Sequence, residues 1–163
     1  MQLDPFYRVT FTTPESWSVT REGTDGVEGQ SFLIAEGRTE GGLSARYRAA
    51  NFPRKRVDGA IEPAFRGVLE TEDGAVILFR WDGLTRRTPS GKQGLLGTMF
   101  HTSDDSRYRW LNDRICAVEG EVRPRAEGGF DVILDVSLMS ATSEGTEGSM
   151  PESGASVAGP AAT

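Results

Sequence analysis

The chain is short of the residues that most often carry chemistry. Its 163 residues include one cysteine, Cys116, and one histidine, His101. A single thiol excludes an internal disulfide. In ICAVEGEV, Cys116 sits among apolar residues and reads as a buried structural thiol; as a nucleophile it would need a base, and His101 is the one histidine available. Lysine is almost absent too, with Lys55 and Lys92 the two among 18 basic residues. Two readings of that bias stay open: arginine-rich codon usage in a G+C-rich genome, or recognition of carboxylates and phosphates by guanidinium forks. No apolar run approaches the roughly 20 residues that span a bilayer, so no membrane partner is expected. MQLDPFYRVTF lacks the basic and apolar regions of a secretory signal, so the cytoplasm is the expected compartment.

Standard site motifs are missing as well. There is no GK[ST] phosphate loop, no GxGxxG after a strand, and no HExxH, CxxC or GxSxG. No nucleotide, nicotinamide or other cofactor is therefore expected. A metal site would have to combine His101 with carboxylates, which is weak ground, and none is expected. The net charge is -6. Glu144, Glu147 and Glu152 of the segment 140–163 account for half of it, and the mildly acidic remainder argues against nucleic acid as a partner.

What is there is punctuation and short apolar segments. FYRVTFT (6–12), SFLIAEG (31–37), GLSARYRAAN (42–51), PAFRGVLET (63–71), AVILFRWDG (75–83), GLLGTMFHT (94–102), ICAVEGEVR (115–123) and FDVILDVSLM (130–139) read as eight strands. Glu72-Asp73-Gly74 marks a hairpin, and Gly128-Gly129 another turn. Helical periodicity is confined to DDSRYRWLNDR (104–114), one or two turns that Asp104 or Asp105 could cap. Eight short strands in one domain need a sandwich or a barrel, and closure removes edge strands. The expected fold is all-β: an eight-stranded antiparallel closed barrel over residues 1–139 with one short helical turn. The segment 140–163, rich in Gly, Ser, Glu, Pro and Ala, is expected to be a disordered tail.

Alternation assigns faces. Phe130, Val132, Leu134 and Val136 share one face of the last strand. Ala75, Ile77, Phe79 and Trp81 share one face of the fifth, with Val76, Leu78, Arg80 and Asp82 on the other. The apolar first half of both faces suggests that a second copy covers this strand, so a homo-oligomer is expected.

RAANFPRKRVDGAIEPAFRGVLETEDGAVILFRWDG, followed by RYRWLNDRICAVEGEVR, resembles the family called domain of unknown function 3237. The landmarks are the E-T-E-D-G-A turn, the Y-x-W-L-N segment and the G-x-V-R strand, over about residues 30–139; the first 25 residues fit poorly. The resemblance implies a small antiparallel β-barrel with a central cavity, small oligomeric bacterial proteins, and no settled activity.

Candidate site residues are few. His101 is the one group whose ordinary pKa suits acid–base work near neutrality, and its strand mates Leu95, Gly97 and Met99 are apolar or small. Glu70 and Glu119 are candidate catalytic carboxylates. Arg46 and Arg48 share a face; they either point outward or, inward, require anionic partners such as Glu70, Glu119, Glu121 or a ligand. Asn51, Arg80 and Asn112 complete the candidate ligand donors. Tyr108 and Trp110 have apolar bodies with polar tips, suited to plugging a barrel end, walling a ligand pocket, or both. The expected function is a cofactor-independent enzyme of isomerase, hydratase/lyase or cyclase type acting on a small organic or polyketide-like molecule in the cavity. The alternative is a non-catalytic small-molecule binding or carrier protein, or a structural homo-oligomer.

Overall fold

The computed structural model describes residues 1–142. The elements run β1 (Gln2–Gly23), β2 (Gly26–Gly41), β3 (Ala45–Asn51), β4 (Arg54–Lys55), β5 (Ile61–Glu62), β6 (Ala64–Thr71), β7 (Val76–Arg87), β8 (Gln93–Thr102), the 3-10 turn η1 (Arg109–Asp113), β9 (Ile115–Pro124) and β10 (Phe130–Ser140). Eight strands, all but β4 and β5, pair antiparallel in the circular order β1, β10, β9, β8, β7, β6, β3, β2 and back to β1. The eight expected strands and the single helical turn are thus present in an all-β ring. Most of the expected tail, from residue 143 on, lies outside the described residues, and Ser140 still belongs to β10.

Alternation builds the ring's inner wall. Val9 and Phe11 of β1, Ala45, Tyr47 and Ala49 of β3, Ile77, Phe79 and Trp81 of β7, and Val132, Leu134 and Val136 of β10 are all buried in one cluster. Their neighbours Arg8, Arg46, Arg48, Arg80 and Asp135 are exposed. Because side chains in a strand alternate strictly, each buried row fixes an outward row one residue away. The face assignments for β7 hold, except that the outward Val76 and Leu78 are exposed to solvent here.

Two local devices keep the wall close. At Gly120 an added Cβ would run into the Ile133 carbonyl and Leu134 of β10, so the bare backbone is what allows the approach expected of a strand glycine. The hairpin predicted at Glu72-Asp73-Gly74 is present. Gly74 has φ +88°, and the Ala75 N–H donates to Thr71 Oγ1 at 2.7 Å.

Two features differ from expectation. β1 continues to Gly23 and β2 begins at Gly26, so residues Glu15–Gly23 and Gly26–Ile34 form a paired arm. A register shift between Thr12 and Glu15, around Pro14, separates the arm from the ring. The arm has no row of buried apolar residues, because it is Ser/Thr-rich on one face, and so alternation ends at Thr12. The turn predicted over 104–114 shrinks to five residues. Its N-cap is Tyr108, with no side-chain cap, while Asp105 Oδ1 instead accepts the Arg107 N–H at 2.9 Å just before it.

η1 covers one end of the ring. Leu111 is fully buried there, in the same core cluster as Leu43 of the β2–β3 turn. Asn112 holds the turn in place: its Oδ1 accepts the Ser103 N–H at 2.8 Å and its Nδ2 donates to the Ser103 carbonyl at 3.0 Å. The Tyr108 hydroxyl donates to Asp73 at 2.8 Å, fastening η1 to the β6–β7 hairpin. Leu111 is the fully buried residue at this end, and the half-buried Tyr108 packs against the same cluster. Trp110 lies outside it, edge-on to Phe6 with 5.6 Å between ring centroids.

Candidate functional site

Inward parity on β1, β8 and β9 brings three reactive side chains together. His101 Nε2 lies 2.7 Å from the Tyr7 hydroxyl, and His101 Nδ1 lies 3.8 Å from Cys116 Sγ. The Tyr7 hydroxyl is also 3.0 Å from Met99 Sδ. All four residues are buried, with His101 2% exposed.

Proton counting limits what this chain can be. Tyr7 has one hydroxyl proton. If it donates to Nε2, the imidazole proton sits on Nδ1 and faces Cys116. If Nε2 carries the proton, Tyr7 donates to Met99 Sδ and the Cys116 thiol faces a lone pair on Nδ1. The two senses differ in the imidazole tautomer, and either serves a neutral ring.

Burial keeps all three groups neutral. It pushes His101 down to about 4 and Cys116 up to about 11. Burial, reinforced by the nearby Cys116 and Tyr47, raises Tyr7 well above the ordinary phenol value. At neutral pH the cluster is thus a free imidazole base beside a phenol that keeps its proton. A thiol held this high is a poor nucleophile, which agrees with the structural reading of Cys116.

Around this cluster stands an aromatic wall. Tyr47 is stacked between Phe11 and Phe79, at 5.1 and 5.0 Å between centroids. Phe65 meets Phe11 at 5.5 Å and Trp81 at 4.7 Å. Two donors on that wall, the Tyr47 hydroxyl and Trp81 Nε1, are fully buried with no hydrogen-bond partner among the described residues. Unpaired buried donors are costly, about 1–3 kcal/mol each, and native structures keep few of them. Both would be satisfied by an acceptor oxygen inside the ring.

The predicted candidates divide sharply. His101 is in the interior cluster. Asn51 is buried, but its Oδ1 accepts the Ala64 N–H at 2.9 Å, clasping the end of β3 to the start of β6. Asn112 and Tyr108 secure η1, as described. Glu70, Glu119, Arg46, Arg48 and Arg80 all lie on the outward rows. Arg46 meets Glu70 at 4.0 Å and Arg48 meets Glu36 at 3.7 Å, pairs about half exposed. Arg80 lies over the Phe100 ring at 4.3 Å. Of the two orientations open for Arg46 and Arg48 the outward one is present, and Glu70, Glu119 and Arg80, named as candidates for the cavity, stand outward too, one residue out of phase with the buried row, where water solvates the charges. Of the 16 ion pairs among the described residues, none joins two buried side chains.

Tyr7, Tyr47 and Trp81 escaped the sequence reading. The signal was present for the tyrosines: Tyr7 and Val9 flank the exposed Arg8, and Tyr47 lies between the exposed Arg46 and Arg48, so parity turns both tyrosines inward. Among the described residues no group of three His, Cys, Asp or Glu side chains is placed to hold a metal, and no helix is long and apolar enough to cross a membrane.

Solved structures share this architecture. A β-barrel-like protein from Acinetobacter baumannii matches with a TM-score of 0.71 at 21% identity, over 84% of this chain and 94% of its own. A protein of unknown function from Clostridium acetobutylicum matches at 0.70 and 16%, over 86% of this chain and 100% of its own. A protein from Penicillium herquei, described as an enzyme, matches at 0.54 and 16%, over 83% of this chain and 93% of its own. At these identities the likeness is one of fold. No curated protein matches the sequence. The sequence pattern of one family, a protein of unknown function (DUF3237), matches residues 1–139, so the likeness takes in the first 25 residues as well.

Proposed function

The chain belongs to the DUF3237 family, and from that premise we propose that its ring is a closed barrel housing a cofactor-independent acid–base enzyme. The substrate class is a small, flat organic molecule of polyketide-like character, and the reaction is isomerisation, hydration or elimination, or cyclisation. The observation that carries this reading is the neutral His101 imidazole 2.7 Å from the Tyr7 hydroxyl, in an interior that also holds two unpartnered donors.

In this reading His101 takes a proton from a carbon next to a carbonyl, or from an enol or phenol hydroxyl conjugated with one. The electron pair of the broken bond moves toward the carbonyl oxygen. The Tyr47 O–H and Trp81 N–H hold the negative charge that develops there, in surroundings where hydrogen bonds to an oxyanion are strong. His101 returns that proton at a second position, or Tyr7 donates its own there and takes the abstracted proton from His101 across their 2.7 Å contact, so the protein ends as it began. A planar substrate suits the stacked wall of Phe11, Tyr47 and Phe79. Access is through η1, a five-residue turn with no side-chain cap, hung on the Asn112–Ser103 pair and the Tyr108–Asp73 bond. The outward Glu70, Glu119, Arg46, Arg48 and Arg80 have no part in the chemistry.

The rival reading is a non-catalytic carrier, favoured by the largely apolar and aromatic lining of the interior. One experiment separates the two. Small aromatic 1,3-diketones are incubated with the protein in deuterated water, and label uptake is followed by mass spectrometry. The enzyme reading expects uptake with the wild type and its loss in His101→Gln and Tyr7→Phe, with Tyr47→Phe binding the probes more weakly. Binding without uptake, unchanged in His101→Gln, would establish the carrier instead.

A further inference from the structure

The β1–β2 arm leaves one strand edge bare. β10 pairs with β1 only as far as Thr12, whereas β2 follows β1 to Gly23. Among the described residues, no strand pairs with the other edge of Glu15–Gly23, and every residue from Pro14 to Gly23 is exposed. Trp17 and Val19 are 56% and 68% exposed on this strand. Trp17 stacks on Phe32 and Phe32 meets Phe52 at a tilt, 4.9 Å between centroids, which gives the arm an apolar stripe ending at its free edge.

Bare edges pair with other strands unless something prevents it. For two identical strands meeting antiparallel about a twofold axis, symmetry restricts the register. Directly opposed residues must turn their N–H and C=O groups the same way, and those groups alternate along the strand. The axis must therefore pass through a residue, not between two. The segment reads Glu15-Ser16-Trp17-Ser18-Val19-Thr20-Arg21. With the axis at Ser18, Glu15 opposes Arg21, Ser16 opposes Thr20 and Trp17 opposes Val19, each pair occurring twice. Moving the axis to Trp17 sets Glu15 against Val19, and moving it to Val19 sets Trp17 against Arg21. Only the Ser18 register matches charge with opposite charge and apolar with apolar.

We propose that two copies of the chain join edge to edge along Glu15–Arg21, with the twofold axis at Ser18. The joint forms about six to eight backbone hydrogen bonds, two for each hydrogen-bonded pair. It carries the stripe Phe52–Phe32–Trp17 of one copy onto Val19 of the other. Arg21, which reaches Glu28 of its own arm at 3.4 Å, is 84% exposed and free to turn to the second copy.

The test is the mass of the full chain in solution by analytical ultracentrifugation at micromolar concentration. The wild type should be a dimer. Glu15→Arg and Arg21→Glu each create two like-charge pairs across the axis and should weaken the dimer by about tenfold or more. Mixed in equal amounts, the two variants oppose every charge with its opposite, so heterodimers should form with wild-type affinity. Leu78→Ser, on the exposed outer face of β7, should leave the dimer intact. A monomeric wild type would overturn the proposal. So would single arm variants that dimerise normally, a mixture that stays monomeric, or a dimer that Leu78→Ser abolishes.

Discussion

The two faces of the ring's wall are made by the same strands and carry opposite chemistry. The outer face holds the arginines and carboxylates, in ion pairs that water and salt largely screen. The inner face holds uncharged groups: an imidazole, a thiol and two phenols that burial holds in their neutral forms, and an indole. The lesson is that abundant charge does not mark the site here. A single residue of parity separates a solvated arginine from a buried tyrosine, and the buried one can do work that the charged one cannot.

The sharpest way to break this comparison is by truncation. Trp81→Ala should destabilise the protein by about 3–5 kcal/mol, since it removes a fully buried ring that packs on Phe65. Loss of under about 1 kcal/mol in urea unfolding would mean that the interior is not packed as described.

Next comes pH. His101 is pushed from 6.5 down to about 4 in the folded protein. Between those values the unfolded chain binds a proton that the folded chain refuses, so stability falls as pH drops through this window and is flat above it. The fall should reach about 3 kcal/mol near pH 4, and the difference between wild type and His101→Gln isolates it. Equal pH slopes for the two proteins in urea titrations would place the imidazole in water.

Tyr47→Phe should have a smaller effect of opposite sign. It deletes an unpartnered hydroxyl, so the ligand-free protein should be as stable or about 1 kcal/mol more stable. A loss of about 2 kcal/mol in the thermal or urea midpoint would show that the hydroxyl has a partner. On the outer face, Arg48→Ala and Glu119→Gln should each change stability by less than about 0.5 kcal/mol. A change above about 1 kcal/mol would erase the distinction between the faces.

Much of the fold could be read from the sequence. Eight runs of aromatic and β-branched residues between Gly-rich turns became the eight ring strands, because alternation over five or more residues is a local signal. Ala75, Ile77, Phe79 and Trp81 were placed correctly on one face for the same reason. The arm was not legible, since Ser16, Ser18 and Thr20 bury nothing and give no periodicity. The site was half legible. His101 stood out as the lone histidine among apolar mates. Tyr7 and Tyr47 did not, because Arg8 follows the one and Arg46 and Arg48 flank the other, and the contacts that join Tyr7, His101 and Cys116 link β1 to β8 and β9 across the chain. Asn112 and Tyr108 were noticed for their donors, but those donors are used on Ser103 and Asp73.

The central claim is that the single histidine is a neutral base held on Tyr7 inside the ring. Because the chain has one histidine, an NMR titration of the imidazole nitrogens reads it without assignment. The account predicts a neutral ring down to pH near 4 and altered Nε2 and Nδ1 shifts in Tyr7→Phe. An imidazole that titrates near 6.5, with the same spectrum in both proteins, would contradict it.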